Sequence, residues 1–245
     1  MQHTKEWFSE WFDSPYYHVL YHNRDDREAQ FFLDNLVHKL HITPGLKVAD
    51  LACGKGRHAI YLNKLGFDVT GFDLSAASIA QAKLHTNNRL HFVEQDLRTL
   101  QHPHQFDIAL NLFTSFGYFQ SEEEDLKVLR NIYNILKPDG YVLIDFFNIH
   151  TTLARLVEAE SKRIGEIMFH IRRWNDDKFL YKKISLKDVD MQFEFIEQVQ
   201  LINDEQFEKM LNDSGFGIVE KMGNYQLEPY QKGKSDRLII LAQKR

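Results

Sequence analysis

The stretch that decides the fold is Val48-Ala49-Asp50-Leu51-Ala52-Cys53-Gly54-Lys55-Gly56-Arg57-His58. Apolar residues lead into two closely spaced glycines, and an amphipathic segment, 58–65, follows them. This order predicts a buried strand, a tight turn and a helix. Gly54 and Gly56 allow positive φ and let the backbone approach a ligand, at which the free N–H groups of the new helix would point. The stretch therefore predicts a nucleotide-binding turn.

The same turn also fits a dinucleotide-binding pattern. With Ala59, the run that begins at Gly54 satisfies Gly-x-Gly-x-x-Gly/Ala, which is typical of nicotinamide and flavin proteins. Asp73 follows Gly56 by 17 residues, and an acid near this distance binds ribose hydroxyls in such proteins. A nicotinamide-dependent oxidoreductase is therefore one alternative, and residues outside this turn must distinguish it from other nucleotide-binding proteins.

Composition and charge limit the class of protein. The 245 residues are 43% hydrophobic and 27% charged, which suits one large α/β domain or a domain with an insertion. No apolar run could span a membrane, and Lys5, Glu6 and Glu10 stand where a secretory signal would be apolar, so we expect a soluble, cytoplasmic protein without a membrane partner. The single cysteine, Cys53, excludes an internal disulfide and a cysteine-rich metal site, and we expect no metal. A net charge of −5 gives no general attraction to nucleic acid.

Apolar and amphipathic segments alternate through the first part of the chain. Strands are predicted at 47–52, 67–73, 90–95, 106–113 and 141–147, with helices at 25–40, at 57–65, from Ser75 to about Leu84 and from Ser121 to Leu136. Five strands with helical crossovers predict an α/β fold with a Rossmann-like, doubly wound, mostly parallel sheet. A helix at 203–212 and a closing strand pair, 216–222 and 237–242, complete it.

The pattern changes between residues 151 and 201. A helix is predicted at 151–160, followed by strand-like runs at 165–174, 178–188 and 190–201. Apolar and polar residues alternate along the last run, which predicts an antiparallel sheet with one wet face. We interpret 151–201 as a substrate cap inserted after strand five, and residues 1–150 and 202–245 as the core.

Acidic residues stand at the carboxyl ends of the first three predicted strands. They are Asp50, Asp73 and Asp96. Ligands of an open α/β sheet bind at these ends, so the placement is informative. Asp73 can accept both hydroxyls of a ribose, and Asp96 can receive an adenine amino group. A nicotinamide protein would leave Asp50 and Asp96 unexplained.

These motifs resemble those of the class I S-adenosylmethionine-dependent methyltransferases. The first motif of that family is similar to residues 50–56, and the similarity extends to 71–75, 95–97 and 136–140. The resemblance spans about residues 45–147 and implies S-adenosylmethionine as the methyl donor. Residues 17–21, the run 113–118 and the antiparallel insertion look most like the sugar N,N-dimethyltransferase and glycine-methyltransferase-like branch.

The resemblance also implies which residues contact the cofactor. Gly54 and Gly56 would face its methionine part, Asp73 would hold the ribose, and Asp96 with the backbone of Leu97 would read the adenine.

Aromatic and basic residues complete the implied site. Tyr21 and Tyr17 would close over the cofactor, and Arg24 or Arg57 would neutralise its carboxylate, since a sulfonium favours aromatic faces and a carboxylate favours a guanidinium. The full predicted cofactor set is Tyr17, Tyr21, Arg24, Asp50, Ala52, Gly54, Gly56, Arg57, Asp73, Leu74, Asp96, Leu97, Asn111 and Phe113.

The catalytic residue is left unassigned. Methyl transfer turns a sulfonium into a neutral thioether, so the leaving group needs no acid and positioning can supply most of the rate. A base is needed only where the acceptor must lose a proton. The candidates are His150, Tyr118 and His18, with Asn148 and Asn111 also at strand ends, and the sequence singles out none of them.

The cap bears on the acceptor. Between Lys162 and Lys187 there are eight basic residues against three acidic ones, interleaved with aromatic residues. These are either the solvated faces of antiparallel strands or a surface for an anionic ligand. We expect a small-molecule acceptor, anionic in the second case, that is methylated at nitrogen or oxygen. RNA is the alternative acceptor, and a non-catalytic adenosyl-ligand-binding protein stays open because no base stands out.

Overall fold

The computed structural model describes residues 6–21 and 26–245 of the chain, apart from the Ser9 side chain. The predicted cofactor residue Arg24 lies outside these ranges. The helices are α1 (Trp7–Asp13), α2 (Pro15–Leu20), α3 (Asp26–Lys39), α4 (Arg57–Lys64), α5 (Ala76–Ala82), α6 (Glu122–Ile135), α7 (Ile149–Ala154) and α8 (Asp204–Asp213). The strands are β1 (Lys47–Leu51), β2 (Asp68–Asp73), β3 (Leu90–Glu94), β4 (Phe106–Asn111), β5 (Leu136–Phe147), β6 (Ala159–Ile164), β7 (Ile167–Asn175), β8 (Phe179–Asp188), β9 (Met191–Gln200), β10 (Phe216–Met222) and β11 (Arg237–Lys244).

Seven strands form the main sheet, in the order β10-β11-β5-β4-β1-β2-β3. The pairs within β3-β2-β1-β4-β5 are parallel, and β11 runs antiparallel to both β5 and β10. This confirms the predicted doubly wound, mostly parallel sheet. The strand order reverses between β1 and β4, where a crevice opens at the carboxyl ends of the strands.

Apolar side chains alternate along the strands and fill a core on each face of the sheet. On β5, Val142, Ile144 and Phe146 pack with α6 and α8, whereas Leu143 packs with α3, α4 and α5. Each layer buries apolar area against the same sheet, which holds the helices around it. The turns that precede α4 and α5 are thereby fixed at the crevice.

The second sheet has four antiparallel strands, in the order β6-β7-β8-β9. Three had been predicted, and the predicted helix 151–160 is wrong beyond Ala154, because β6 occupies 159–164. The residues of β6 are mostly polar and largely exposed, so its sequence shows no apolar periodicity. It forms because β7 supplies backbone partners, as in the pair Ser161 and His170.

Two predicted boundaries near the crevice also differ. The strand expected to run to residue 113 ends at Asn111, because Phe113 and Thr114 adopt left-handed φ values of 56° and 62°. β5 begins at Leu136 and includes the predicted turn 137–140 as an irregularity in its pairing with β4. The early end of β4 places a turn, rather than an extended strand, beside the crevice.

Helices α1 and α2 pack on the second sheet. Trp11 and Leu20 join a buried apolar cluster with Phe169, Ile171 and Ile184 of that sheet. The N-terminal helices therefore lie over the crevice with their main apolar contacts in the second sheet. Within the described ranges, no helix is long and apolar enough to cross a membrane.

Candidate functional site

Two adjoining cavities open at the carboxyl ends of β1, β2, β3 and β4. The space within them, open solvent included, is about 910 Å³ in the first and about 890 Å³ in the second. Predicted residues line the first at Tyr17, Ala52, Gly54, Asp73, Leu74, Asp96, Leu97 and Phe113, and the second at Tyr17, Tyr21, Ala52, Gly54, Arg57 and Phe113. The structure thus brings ten of the fourteen predicted cofactor residues together.

The glycine turn begins both cavities. Gly54 and Gly56 have φ values of 56° and 84°, and Gly56 is the N-cap of α4. A Cβ atom on Gly56 would lie 2.5 Å from the ring of Phe92. Glycine is therefore required at residue 56 by both backbone conformation and space.

Asp73 joins the glycine turn to the end of β2. Its Oδ2 accepts a hydrogen bond from the Gly54 N–H at 2.7 Å, and its Oδ1 accepts one from the Ser75 N–H at 2.8 Å. Burial raises the pKa of Asp73 above its ordinary value, and these two N–H groups partly offset that effect. Each carboxylate oxygen keeps acceptor capacity beside the first cavity.

Asp50 lies beneath the turn and lines neither cavity. It is fully buried, and its Oδ2 accepts from the Ala59 N–H at 3.1 Å. Burial raises the pKa of Asp50 to about 7, although the Ala59 N–H opposes the shift. Asp50 therefore ties β1 to α4 in this structure. Gly56 and Asn111 also lie outside the residues that line the cavities.

Asp96 is held by an arginine that the sequence did not single out. Arg98 donates to both carboxylate oxygens of Asp96, at 3.1 Å from Nε to Oδ1 and at 2.7 Å from Nη2 to Oδ2. It also pairs with Glu6 at 2.7 Å and Glu124 at 2.9 Å. Burial alone would raise the pKa of Asp96, but the hydrogen bonds from Arg98 outweigh it and keep that pKa below its ordinary value.

The N-terminal helices form an aromatic roof, which we define as Phe8, Phe12, Tyr17 and Tyr21. Phe8 and Phe12 line the first cavity, Tyr21 lines the second, and Tyr17 lines both. Sequence reasoning missed Phe8 and Phe12, because an aromatic-rich segment does not show which surface it covers. Their neighbour across the cavity is Tyr118, whose ring centroid lies 5.6 Å from that of Phe12.

Glu197 of β9 anchors this roof to the second sheet. Its Oε1 accepts from the indole N–H of Trp11 at 2.7 Å and from the hydroxyl of Tyr21 at 2.5 Å. Lys182 lies 3.5 Å from the other carboxylate oxygen. The second sheet thus holds the helix that carries the tyrosines.

The candidate bases are dispersed. His18 lines the second cavity, where burial, followed by the charge of Lys55, lowers its pKa. Tyr118 lines the first cavity and donates its hydroxyl to the Thr114 carbonyl at 2.5 Å. His150 is the second residue of α7 and lines neither cavity, and the Asn148 side chain donates to backbone carbonyls of the 232–235 loop. Of the three, His18 is the histidine at the crevice.

Comparison with known proteins gives the family. The model of a family described as a methyltransferase domain matches residues 48–140, from β1 into β5. The chain is 27% identical over 244 residues to the glycine/sarcosine N-methyltransferase of Aphanothece halophytica. This alignment covers 92% of the chain and 85% of that relative. Residues 48–140 are therefore a methyltransferase domain, and the predicted resemblance to the class I S-adenosylmethionine-dependent methyltransferases is confirmed.

Solved methyltransferases share the fold over nearly the whole chain. An S-adenosylmethionine-dependent methyltransferase from Clostridium acetobutylicum superposes with a TM-score of 0.78 at 19% identity, and covers 94% of this chain and 96% of that one. CalS10, an amino pentose methyltransferase from Micromonospora echinaspora solved with S-adenosylmethionine bound, has a TM-score of 0.70 at 17% identity, with coverage of 95% and 98%. This methyltransferase assignment takes the place of the nicotinamide alternative.

Proposed function

We propose that this methyltransferase transfers a methyl group from S-adenosylmethionine to a nitrogen or oxygen atom of a small molecule. The observation that carries the proposal is the aromatic roof over the two cavities. A small molecule can be enclosed beneath such a roof, whereas a polynucleotide strand would require the roof to be displaced. Residues 151–201 act in this proposal as the cap that holds the roof and borders the acceptor.

The residues around the first cavity fit the adenosine part of the donor. Asp73 would bind the ribose hydroxyls with the acceptor capacity that Gly54 and Ser75 leave free. Asp96 would accept the adenine amino group, since Arg98 keeps its carboxylate ionised. The cavity beside Leu97 and the roof is mostly apolar, which suits an adenine ring.

The second cavity fits the methionine part of the donor. Bound S-adenosylmethionine supplies an electrophilic methyl group on a sulfonium. Tyr17 and Tyr21 place aromatic rings beside the second cavity, where they would favour the cationic centre. Arg57 lines the same cavity and would pair with the carboxylate, a role that the prediction shared between Arg24 and Arg57.

The chain's contribution to the reaction is orientation and exclusion of water. Enclosure between the core and the roof would hold the acceptor atom in line with the methyl group. His18 is the proposed base where the acceptor carries a proton to lose, because its lowered pKa leaves the imidazole neutral near pH 7. Nitrogen is the favoured acceptor atom, since the relative named above is an N-methyltransferase.

The basic residues of the cap give little support to an anionic acceptor or to RNA. Ion pairs join five of the eight to carboxylates: Lys162 and Arg173 to Glu160, Lys182 to Glu197, Lys183 to Glu194, and Lys187 to Asp190. Paired charges present a weaker field to a polyanion than unpaired ones. Both acceptors stay predictions that the experiment below tests.

The test is transfer of labelled methyl from S-adenosylmethionine into a cell extract separated into RNA, protein and small-molecule fractions. Asp73→Ala is the inactive variant, and Asp68→Ala, at the half-buried start of the same strand, is its matched control. We expect label in the small-molecule fraction with wild type and Asp68→Ala, and at least a tenfold loss with Asp73→Ala. Label confined to RNA or protein would overturn the small-molecule proposal, and binding of adenosylhomocysteine without any label would indicate a non-catalytic protein.

A further inference from the structure

The turn after β4 holds an unusual backbone conformation at the wall of both cavities. Phe113 and Thr114 are consecutive non-glycine residues with left-handed φ. Such residues are strained and persist only where their surroundings hold them. Phe113 lines both cavities, and so does Ser115. The turn therefore shapes the wall at the junction of the two cavities.

One buried carboxylate holds the turn. Asp145 of β5 has no exposed area, and its Oδ2 accepts from the Phe113 N–H at 2.8 Å. The backbone carbonyl of the same residue accepts from the Thr114 N–H at 2.9 Å. Tyr225 donates its hydroxyl to Oδ2 at 3.2 Å. Asp145 thus fixes both left-handed residues from the neighbouring strand.

Arg237 of β11 completes the arrangement. Its Nε donates to Asp145 Oδ1 at 2.7 Å, and its Nη2 donates to the Thr114 hydroxyl at 3.0 Å. The guanidinium therefore balances the buried charge and adds a third bond to the turn. A pair of apolar side chains could fill the same space between β5 and β11, often without loss of stability. This ion pair differs from such a pair of apolar side chains because each of its members also forms a hydrogen bond with the turn: Asp145 with the Phe113 N–H and Arg237 with the Thr114 hydroxyl.

The turn positions the ring of Phe113 against two residues of α4. It stacks on His58 with ring centroids 5.0 Å apart, and the Arg57 guanidinium lies 4.4 Å from its centroid. Arg57 is the residue proposed to bind the donor's carboxylate. A change in the turn would thus move the wall of the cavities together with the side chain that packs on it.

We propose that Asp145 and Arg237 are positioning residues for methyl transfer, which set the Phe113–Thr114 turn and so align the acceptor with the donor. Neither residue lines the cavities, so both act through the turn. The inference rests on the proposed function, because it assumes that the cavities hold donor and acceptor.

The test compares Asp145→Asn with Asp107→Asn. Asp107 offers a matched control at the opposite end of the same strand pair, where it accepts from the Lys47 N–H at 2.8 Å and pairs with Lys137 at 2.7 Å. Both substitutions remove a charge from a carboxylate that accepts from one backbone N–H and pairs with one cation, and the Asp145 carboxylate also accepts from the Tyr225 hydroxyl. Circular dichroism melts first establish a temperature at which each variant is folded.

Rates are then measured at saturating S-adenosylmethionine with whichever extract fraction the wild type labels, beside the dissociation constant of adenosylhomocysteine. We expect Asp145→Asn to lower the transfer rate at least tenfold, a larger factor than the loss of adenosylhomocysteine affinity that follows from movement of Arg57, and Asp107→Asn to keep the wild-type rate. Equal rates for these two folded variants would overturn the proposal while leaving the proposed function intact. A wild type that labels nothing would overturn both.

Two milder variants keep the test decisive if Asp145→Asn does not fold. Arg237→Lys keeps the charge but loses the forked donors, and Thr114→Val keeps the side-chain shape but removes the acceptor for Arg237. We expect Arg237→Lys to keep only part of the wild-type transfer rate, and Thr114→Val to lower that rate about threefold. Wild-type rates for both variants would show that the turn is held without this pair.

Discussion

Glu197 in β9 accepts a hydrogen bond at 2.5 Å from the hydroxyl of Tyr21, the C-cap of α2 beside the second cavity. One carboxylate of the second sheet thus determines where a cavity-lining tyrosine lies. Because Trp11 donates to the same oxygen, Glu197 holds both N-terminal helices against the second sheet.

Replacing Glu197 by Gln should loosen the aromatic roof. Gln keeps an acceptor oxygen but loses the charge that pairs with Lys182, so we expect a loss of about 1–2 kcal/mol in unfolding free energy. Adenosylhomocysteine should dissociate about threefold to tenfold faster in a stopped-flow experiment. Glu194→Gln, on the outer face of the same strand, is the control and should leave dissociation unchanged. Identical off-rates for the two variants would contradict an anchoring role.

The Gly56→Ala variant tests the requirement for glycine in the turn. The new Cβ would meet the ring of Phe92 at 2.5 Å while the backbone keeps its φ of 84°, so we expect a loss of roughly 2–4 kcal/mol in unfolding free energy. Gly45→Ala is the control, since Gly45 also has positive φ but its Cβ would meet nothing within 4 Å. It should lose only about 1–2 kcal/mol. Urea denaturation gives both values, and equal losses would show that the contact with Phe92 is unimportant.

Arg98→Lys tests the support of Asp96. Lysine keeps a positive charge but cannot form the forked contact with Asp96 while it also reaches Glu6. The pKa of Asp96 should rise, because burial is no longer outweighed, and calorimetry should show adenosylhomocysteine binding weakened about fivefold to tenfold. The control is Arg89→Lys, an exposed arginine that donates to the Gly66 carbonyl. Unchanged affinity in Arg98→Lys would mean that Asp96 needs no such support.

Asp125→Asn tests a pH dependence of stability. Burial raises the pKa of Asp125 to about 7, and the charges of Glu124 and Glu122 add to the effect. The native state therefore holds a proton that the unfolded chain releases near its ordinary value of 3.8. The stability of the wild type should fall as pH rises from about 4 to about 7, and stay low above that range.

The Asp125→Asn variant has no carboxyl group to titrate at this position, so it lacks the part of the fall in stability that Asp125 causes. At pH 8 it should be more stable than the wild type, by on the order of 3 kcal/mol. Part of the slope should persist, because Asp50 also titrates near 7. Urea denaturation at pH 5 and pH 8 measures the difference, and a variant with the full wild-type slope would contradict the assignment.

The glycine turn and the acids at the strand ends were predictable, because local sequence determines them. Gly54, Asp73 and Asp96 stand next to the strands that place them, and parallel strands bring their carboxyl ends together. The alternation of apolar strand segments with amphipathic helices was also enough to predict the main sheet. These are the parts of the site for which the chain needs no distant partner.

The supports of the site were not predictable in the same way. Asp145 and Arg237 are 92 residues apart, and Tyr21 and Glu197 are 176 apart. A charged residue within a strand looks the same in sequence whether it faces water or a buried partner. The strand β6 was missed for a related reason, since its backbone pairing with β7 stabilises a segment that has no apolar pattern.

The packing of α1 and α2 on the second sheet also sets an order of events during synthesis. Trp11 is translated well before its partner Glu197, which follows it by 186 residues. The N-terminal helices are too short to be stable alone, so they must wait for β9 before they dock. Trp7 and Trp11 therefore cannot be buried against the second sheet until its last strand has been made, so both indole rings stay exposed while the intervening residues are translated.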